Sequence, residues 1–260
     1  MFKILKYSFY DLIRSRWSYV YLLFYLALGF VLLFLNNDLS KAVITMMNVI
    51  IVLVPLIGTI FGVMYFYNSK EFTELLLAQP LKRSAIFLGQ YFGVAGSLTL
   101  SLVLGLGIPF ILYGLLRSEA IWDFTLLLVT GAFLTFIFTA LAFNIALSNE
   151  NKIKGFGYAV LLWLFLAVIY DGLFLLSLIV FESYPLDMFS LVASMFNPID
   201  LSRTLILLKL DISALLGYTG AVFKQFFGTQ IGLLISIGVL FLWTILPIWR
   251  LVSKAKRKDF

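Results

Sequence analysis

Residues 68–84 read NSKEFTELLLAQPLKRS, and they separate two long apolar stretches, 43–67 and 85–116. Each flanking stretch exceeds the roughly 20 apolar residues that a transmembrane helix requires. The segment between them is charged, and its apolar residues recur at helical spacing. The pattern therefore predicts two membrane spans joined by a short amphipathic helix outside the bilayer.

The boundaries of this short helix are marked in the sequence. Asn68 and Glu71 have the spacing of a capping box, with Asn in place of Ser or Thr. Pro80 ends the predicted helix, because proline disfavours helical backbone in the residue before it. One face carries Phe72, Leu75, Leu76 and Gln79, and another carries Glu71, Glu74 and Ala78. Such a helix is either an attachment point for a soluble partner or an ordinary turn helix at the membrane interface.

The composition identifies the chain as an integral membrane protein. Of its 260 residues, 62% are hydrophobic and 12% are charged, against about 45–50% and about 25% in soluble domains. The chain contains neither Cys nor His. Their absence from the sequence excludes disulfides and thiolate or imidazole ligands for zinc, so we expect this chain to bind no metal or other cofactor.

Six stretches are apolar and long enough to span a bilayer. We predict an all-α fold in which residues 1–260 form a single transmembrane domain, with kinks at Pro55 and Pro109 and no cleavable signal peptide. Gly93, Gly96, Gly105 and Gly107 in the third stretch allow close approach of other helices. The six predicted spans are 18–35, 42–67, 86–116, 121–147, 155–181 and 231–250.

The distribution of basic residues predicts the orientation. With both termini in the cytoplasm, fourteen of the nineteen Lys and Arg residues lie inside. This bias agrees with the positive-inside rule and places residues 68–84 in the cytoplasm. The five basic residues left outside are Lys41, Arg117, Arg203, Lys209 and Lys224.

The N-terminal residues, 1–17, form a second amphipathic segment. Phe2, Leu5, Phe9, Leu12 and Ile13 share one face, and the opposite face is basic. We predict a helix that lies on the inner leaflet. This helix either only anchors the chain to the membrane or also contacts a partner.

The external segment 182–230 is too apolar for a solvated loop. Asn197, Pro198 and Asp200 have the spacing of a helix cap, first residue and first turn, and Asp211 is placed to cap another short helix ending near Gly217. Such helices either lie on the outer surface or re-enter the membrane where protein covers them. They either simply rest on the lipid surface, line a translocation path, or bind an external partner through Asn197, Pro198, Asp200 and Arg203, although Arg203 is also placed to pair with Asp200.

Asp171 is the one strongly intramembrane charge, in the fifth predicted span. A charge at that depth requires a partner, because its insertion costs about 2.5–3.5 kcal/mol. One hypothesis is a protonated carboxyl that bonds to Asn144, Thr139 or Ser177, and the other is a part in a substrate path or a subunit interface. The sequence holds no motif for a nucleophile, a metal site or a nucleotide-binding loop, so we expect a non-catalytic protein.

The pattern E-x4-L-L-x2-P-x2-R, formed by Glu71, Leu76, Leu77, Pro80 and Arg83, resembles the ABC-2 family of transporter permeases. In that family the corresponding stretch is the coupling helix, which docks on a separate ATPase, and an elbow helix precedes the first span. The resemblance implies that ATP and Mg²⁺ bind to the partner ATPase. It also implies that coupling contacts come from Glu71, Phe72, Glu74, Leu75, Leu76, Pro80 and Arg83.

Three further stretches, YDGLFLLSL, NPIDLSR and LLGYTGAVF, resemble the permeases of nitrous-oxide reductase maturation systems within this family. That resemblance implies a bacterial inner-membrane homodimer with a cytoplasmic NosF-like ATPase and a periplasmic, β-helical NosD-like protein. It implies work on the copper–sulfur centre of the reductase. Because the net charge of +6 is typical of the basic cytoplasmic ends of a membrane protein, we expect no nucleic-acid partner. The alternatives are a permease for another small molecule or a lipid, a secondary transporter that depends on Asp171, and a scaffold without transport.

Overall fold

The computed structural model describes residues 2–36, 38–181, 186–209, 223, 226 and 229–257. Within these ranges every regular element is a helix. Besides α-helices there are one π-helical turn, Phe165–Ile169, and one 3₁₀ turn, Leu115–Arg117, within these ranges. The α-helices are α1 (Phe2–Ile13), α2 (Arg16–Asn36), α3 (Leu39–Asn68), α4 (Lys70–Leu77), α5 (Arg83–Leu112), α6 (Ile121–Ser148), α7 (Lys152–Leu164), α8 (Tyr170–Val180), α9 (Asp187–Met195), α10 (Pro198–Lys209) and α11 (Gln230–Arg257).

Six helical segments are long and apolar enough to cross a membrane, which confirms the predicted all-α, six-span architecture. Pro55 and Pro109 lie inside α3 and α5, respectively, and kinks at these positions stay a prediction. The fifth span instead changes its hydrogen-bonding pattern at the π turn, which the sequence did not predict. The spans are Arg16–Asn36, Leu39–Asn68, Arg83–Leu112, Ile121–Ser148, Lys152–Val180 and Ile231–Arg257.

Helices α3 and α6 form the centre of the bundle, and small residues bring them together. A Cβ atom added at Gly58 would make ordinary contact with the carbonyl oxygen of Thr135 at 3.4 Å, and one added at Gly62 would lie only 2.8 Å from the Cβ atom of Ala142. Such an approach leaves no room for a larger side chain. Large aromatic residues fill the space around this pair, and Tyr25, Phe87, Tyr91, Phe138 and Phe143 are fully buried.

Helix α5 holds α1 and α2 against the bundle. A Cβ atom at Gly93 would lie 2.6 Å from the Cβ atom of Ser8 in α1, and one at Gly105 would lie 2.8 Å from that of Tyr25 in α2. These two glycines therefore serve the predicted close approach, and the ring of Phe9 lies over Gly96. Gly107, in contrast, faces open space.

One end of the bundle gathers α4, the end of α3, the connection between α6 and α7, and the end of α11. We call it the basic end. The Tyr67 hydroxyl donates to the carbonyl of Asn149 at 2.7 Å, and Lys254 Nζ donates to Ser148 Oγ at 2.6 Å. Helix α1 reaches the same end, so both described chain termini lie there, on the side that the basic residues predict to be cytoplasmic.

The fifth and sixth spans lie at the periphery. Among the 18 most apolar consecutive residues of each span, the share buried inside the bundle is 11% in the fifth span and 22% in the sixth. The corresponding share in the fourth span is 61%. Their apolar outer faces are therefore available to lipid or to another protein.

Candidate functional site

Helix α4 lies at the basic end and begins at Lys70, with Ser69 as its N-cap. The predicted capping box is therefore wrong. Asn68 is the last residue of α3, so its backbone is helical, and its side-chain oxygen accepts a hydrogen bond from Lys152 Nζ at 3.0 Å. The helix ends at Leu77, before Pro80, as predicted.

The predicted apolar face of α4 divides between the protein and the solvent. Phe72 turns inward and stacks on Tyr7 of α1, with 4.6 Å between the ring centroids, and Leu76 is partly buried. Leu75 is 67% exposed. The remaining residues to which the resemblance assigns ATPase contacts are also exposed: Glu71, Glu74, Pro80 and Arg83.

Two interactions bind α4 to the spans behind it. Gln90 Nε2 in α5 donates a hydrogen bond to Thr73 Oγ1 at 2.8 Å, and both residues are buried. The Tyr7–Phe72 stack joins α4 to α1, which itself packs on α5. A buried polar contact is costly to break, because each partner would be left without a hydrogen bond. Helix α4 is thus an exposed surface attached firmly to the interior.

Helices α9 and α10 form the second notable element, because they descend into the bundle and return. The two helices are bent by 116° at the turn between them. At this turn the carbonyl of Met195 accepts a hydrogen bond from Trp243 Nε1 at 3.0 Å, near the middle of α11. The pair therefore has the geometry of a re-entrant loop whose turn lies level with the middle of α11, and we call it the re-entrant pair.

The N-terminus of α10 is capped as predicted. Asn197 Oδ1 accepts a hydrogen bond from the backbone amide of Ile199 at 3.1 Å, and Pro198 is the first helical residue. The Asn197 side chain also donates to the carbonyl of Leu166 at 2.7 Å. Leu166 lies in the π turn of the fifth span, and π turns occur frequently at functional sites.

Asp171 and Arg203 form an ion pair between the fifth span and α10. Arg203 Nη1 lies 2.8 Å from Asp171 Oδ2 and 3.4 Å from Asp200 Oδ1, while Asn197 Nδ2 donates to Asp200 Oδ2 at 3.1 Å. We call Asp171, Asn197, Asp200 and Arg203 the polar cluster. It links the tip of the re-entrant pair to the fifth span, and its cation lies between two carboxylates.

The partners that the sequence suggested for Asp171 are wrong. Asn144 Nδ2 donates to the carbonyls of Ala140 and Pro247, and the Ser177 hydroxyl donates to the carbonyl of Phe174. The signal for the true partner was present in the sequence, since Arg203 is a cation in a segment too apolar for a solvated loop. The hypothesis that Arg203 pairs with Asp200 is correct in part.

The residues predicted to dock an external protein lie inside the bundle. Asn197, Pro198 and Asp200 are buried, and Arg203 is engaged by two carboxylates. Contact with an external protein stays a prediction. The exposed side chains that the structure describes on this re-entrant pair are the apolar Met188, Phe189, Val192 and Phe196 and the basic Lys209. The short helix predicted from Asp211 to Gly217 lies outside the described residues.

Within the described ranges, no three Asp or Glu side chains come together as metal ligands. In the polar cluster, Asp171 and Asp200 share Arg203, which lies between the two carboxylates. The arrangement is suited to holding two helices together, because a fork-shaped guanidinium bonds to two acceptors at once.

The six spans, the re-entrant pair and the exposed helix at the basic end define a multi-pass helical membrane protein. No family model matches the chain. Over 189 residues the chain is 27% identical to the probable ABC transporter permease protein NosY of Stutzerimonas stutzeri. This match covers 69% of the chain and 63%, less than two thirds, of the length of that relative. The resemblance to ABC transporter permeases that the sequence motifs indicated is therefore confirmed.

Proposed function

We propose that this chain is the transmembrane subunit of an ABC transporter and that a separate cytoplasmic ATPase drives it through α4. The main support for this proposal is that α4 has one exposed face and one face that contacts the membrane spans. Its outer face, with Glu71, Glu74 and Leu75, is exposed, while its inner face is held by Gln90 and Tyr7. The similarity to an ABC transporter permease supports the same function.

Movement of the ATPase subunits would displace α4, and the two inner contacts would carry that displacement to α5 and α1. Because α5 packs on α1, α2 and α6, these helices would move as a body rather than bend separately. ATP and Mg²⁺ would remain on the ATPase. The role of this chain is mechanical.

The polar cluster would receive the movement at the opposite side of the bundle. Helix α10 packs on α3, α6 and α11, whereas Asp171 belongs to the peripheral fifth span. A shift of the central helices relative to the fifth span would therefore act on the Asp171–Arg203 ion pair. The re-entrant pair would in this way convert ATP-driven motion into work at the external face.

The finer proposal is a role in maturation of the copper–sulfur centre of nitrous-oxide reductase. Two stretches that carry the resemblance, YDGLFLLSL and NPIDLSR, contain Asp171 and Arg203, and these two residues contact each other. The partners would be a NosF-like ATPase, a second copy of this chain and a NosD-like protein outside. The exposed apolar face of α8, together with Met188 and Phe189 of α9, is a surface that the latter two could cover.

Secondary transport through Asp171 is the less favoured alternative. Proton relays use several titratable groups along a path, whereas Asp171 is ion-paired with Arg203. Transport of another small molecule or of a lipid by the same ATP-driven mechanism is compatible with the geometry of α4.

Co-purification tests the proposal. The tagged chain is extracted from its host membrane, and bound proteins are identified by mass spectrometry, once for the native chain and once each for Leu75→Pro and Leu75→Met. We expect an ABC ATPase with the native chain and with Leu75→Met. We expect its loss with Leu75→Pro, because proline inside a helix costs about 3 kcal/mol or more. An ATPase retained by an inserted Leu75→Pro chain would refute coupling through α4, and no ATPase with any chain would refute the function.

A further inference from the structure

The described part of the chain contains a large groove that the proposed function does not use. It has a volume of about 1160 Å³ and lies between α6, α7 and α11, with the turn of the re-entrant pair at one end. Its walls are mostly aliphatic and aromatic. The residues that line it include Ile145, Tyr158, Met195, Trp243, Leu246 and Arg250.

At the basic end this apolar groove continues into a polar cleft of about 730 Å³. The two spaces share Ser148, Asn149 and Lys254 as lining residues, so they are adjacent. The cleft adds Lys154 and Arg257, with Glu150 as its acidic member. An elongated apolar space therefore ends in a region that holds four cations and one carboxylate.

The cations at this junction are available to a ligand. Arg250 and Lys254 lie one turn apart on α11, and among the described residues no carboxylate forms an ion pair with either of them. Lys254 Nζ donates one hydrogen bond to Ser148 Oγ and keeps two further donors. Arg250 is exposed at the mouth of the groove.

We propose that this groove binds an anionic phospholipid, with acyl chains along the apolar walls and the phosphate at Arg250 and Lys254. Basic pockets between transmembrane helices on the cytoplasmic side bind such headgroups, and the positive-inside bias assigns the basic end to that side. The apolar walls exclude a free phosphate as the whole occupant. A second copy of the chain fits less well, because an isologous contact at this groove would bring each Arg250 and Lys254 toward its counterpart.

Quenching of tryptophan fluorescence by brominated lipid reports on the groove directly, because Trp243 lines it. Four other tryptophans, Trp17, Trp122, Trp163 and Trp249, are changed to Phe in the full chain, which is placed in phosphatidylcholine nanodiscs. Brominated phosphatidylglycerol or brominated phosphatidylcholine then replaces the unlabelled lipid stepwise. We expect brominated phosphatidylglycerol to reach half-maximal quenching at a mole fraction at least about tenfold lower than brominated phosphatidylcholine requires.

Removal of charge should abolish this preference. Arg250→Gln alone should weaken it about fivefold, and addition of Lys254→Gln should leave the two lipids nearly equal. The matched control is Lys3→Gln with Lys82→Gln, two exposed cations at the same end that do not line the groove. Equal quenching by both lipids in the native chain, or an unchanged preference in the single Arg250→Gln chain, would overturn the proposal.

A filled groove separates a lipid site from general surface attraction. In a chain with Trp243→Phe, the substitution Leu246→Trp places a large side chain in the groove. Native mass spectrometry of this variant should show loss of bound phosphatidylglycerol. Leu234→Trp, an exposed position on the same helix outside the groove, should keep it. Because the native chain has no Cys, Leu246→Cys also tests for a second copy. Efficient disulfide formation between two chains with no lipid quenching would assign the groove to that copy instead.

Discussion

Arg203 of α10 and Asp171 of α8 join two elements that are separated in sequence by 32 positions, with 2.8 Å between Nη1 and Oδ2. The pair fastens the re-entrant helices to a span that is otherwise mostly exposed. Both side chains keep some contact with the surroundings, at 28% and 30% relative exposure. The pair is therefore strong enough to hold a position and accessible enough to be rearranged.

Substitutions of Asp171 and of Arg203 should reduce the stability of the chain to different extents. Asp171→Asn should destabilise the chain less than Arg203→Leu. In Asp171→Asn, Arg203 keeps Asp200, whereas Arg203→Leu leaves two carboxylates close together without a cation. Thermal unfolding in detergent, followed by size-exclusion chromatography, measures the difference, and we expect about 1–3 kcal/mol for Arg203→Leu. Glu119→Leu, an exposed charge in a loop, is the control.

The same pair distinguishes holding from proton transfer. If Asp171→Asn abolishes function while the complex still assembles, a charge or proton role gains support and a purely positional role is contradicted.

A chain with the exchanged charges, Asp171→Arg with Arg203→Asp, should recover part of the stability that Arg203→Leu loses. No recovery would show that position, and not opposite charge alone, is required.

The hydrogen bond between Thr73 and Gln90 should be necessary for coupling. Thr73→Val leaves a buried amide without its acceptor, at a cost of about 1–3 kcal/mol. Addition of Gln90→Leu should restore most of the stability, because two apolar groups then face each other. ATPase binding should persist in the double variant, since the outer face of α4 is unchanged, while stimulation of ATP hydrolysis by the permease should fall. A double variant with normal coupling would show that the bond serves stability alone.

Gly93 should tolerate no side chain. Gly93→Val would place a Cβ atom 2.6 Å from that of Ser8 and 3.0 Å from the amide of Phe9, so α1 would have to move away from α5. We expect a loss of about 1–3 kcal/mol, in the range of overpacked cores. Gly107→Val in the same helix is the matched control, because its Cβ meets open space. Protease sensitivity of residues 2–13 reports release of α1 independently of global unfolding.

The orientation is testable because the chain has no native cysteine. Single cysteines at Leu75 and at Glu119 should react from opposite sides of the membrane with an impermeant maleimide. Label in intact cells should reach Glu119→Cys, and Leu75→Cys should react only after permeabilisation. The reverse pattern would place α4 outside the cell and exclude contact with a cytoplasmic ATPase.

Local sequence was sufficient for the features that depend on neighbouring residues. Hydropathy located all six spans, because burial in lipid demands long apolar helices. The cap at Asn197 followed from the spacing of Pro198 and Asp200, and the end of α4 followed from Pro80. The cap and the end of α4 depend on residues within one helical turn, and the spans depend only on the apolar character of consecutive residues.

Tertiary structure decided the rest. Helix α3 ends at Asn68, so Ser69 and not Asn68 is the N-cap of α4, and the Asn68 side chain instead accepts a hydrogen bond from Lys152 of α7, a residue 84 positions away. The π turn and the pairing of Asp171 with Arg203 depend on a re-entrant helix that comes from a distant part of the chain. A charge in an apolar segment requires a partner, but which partner it meets is set by the three-dimensional path of the backbone. The same holds for the groove at Trp243, because a cavity is a property of how helices diverge and not of any one of them.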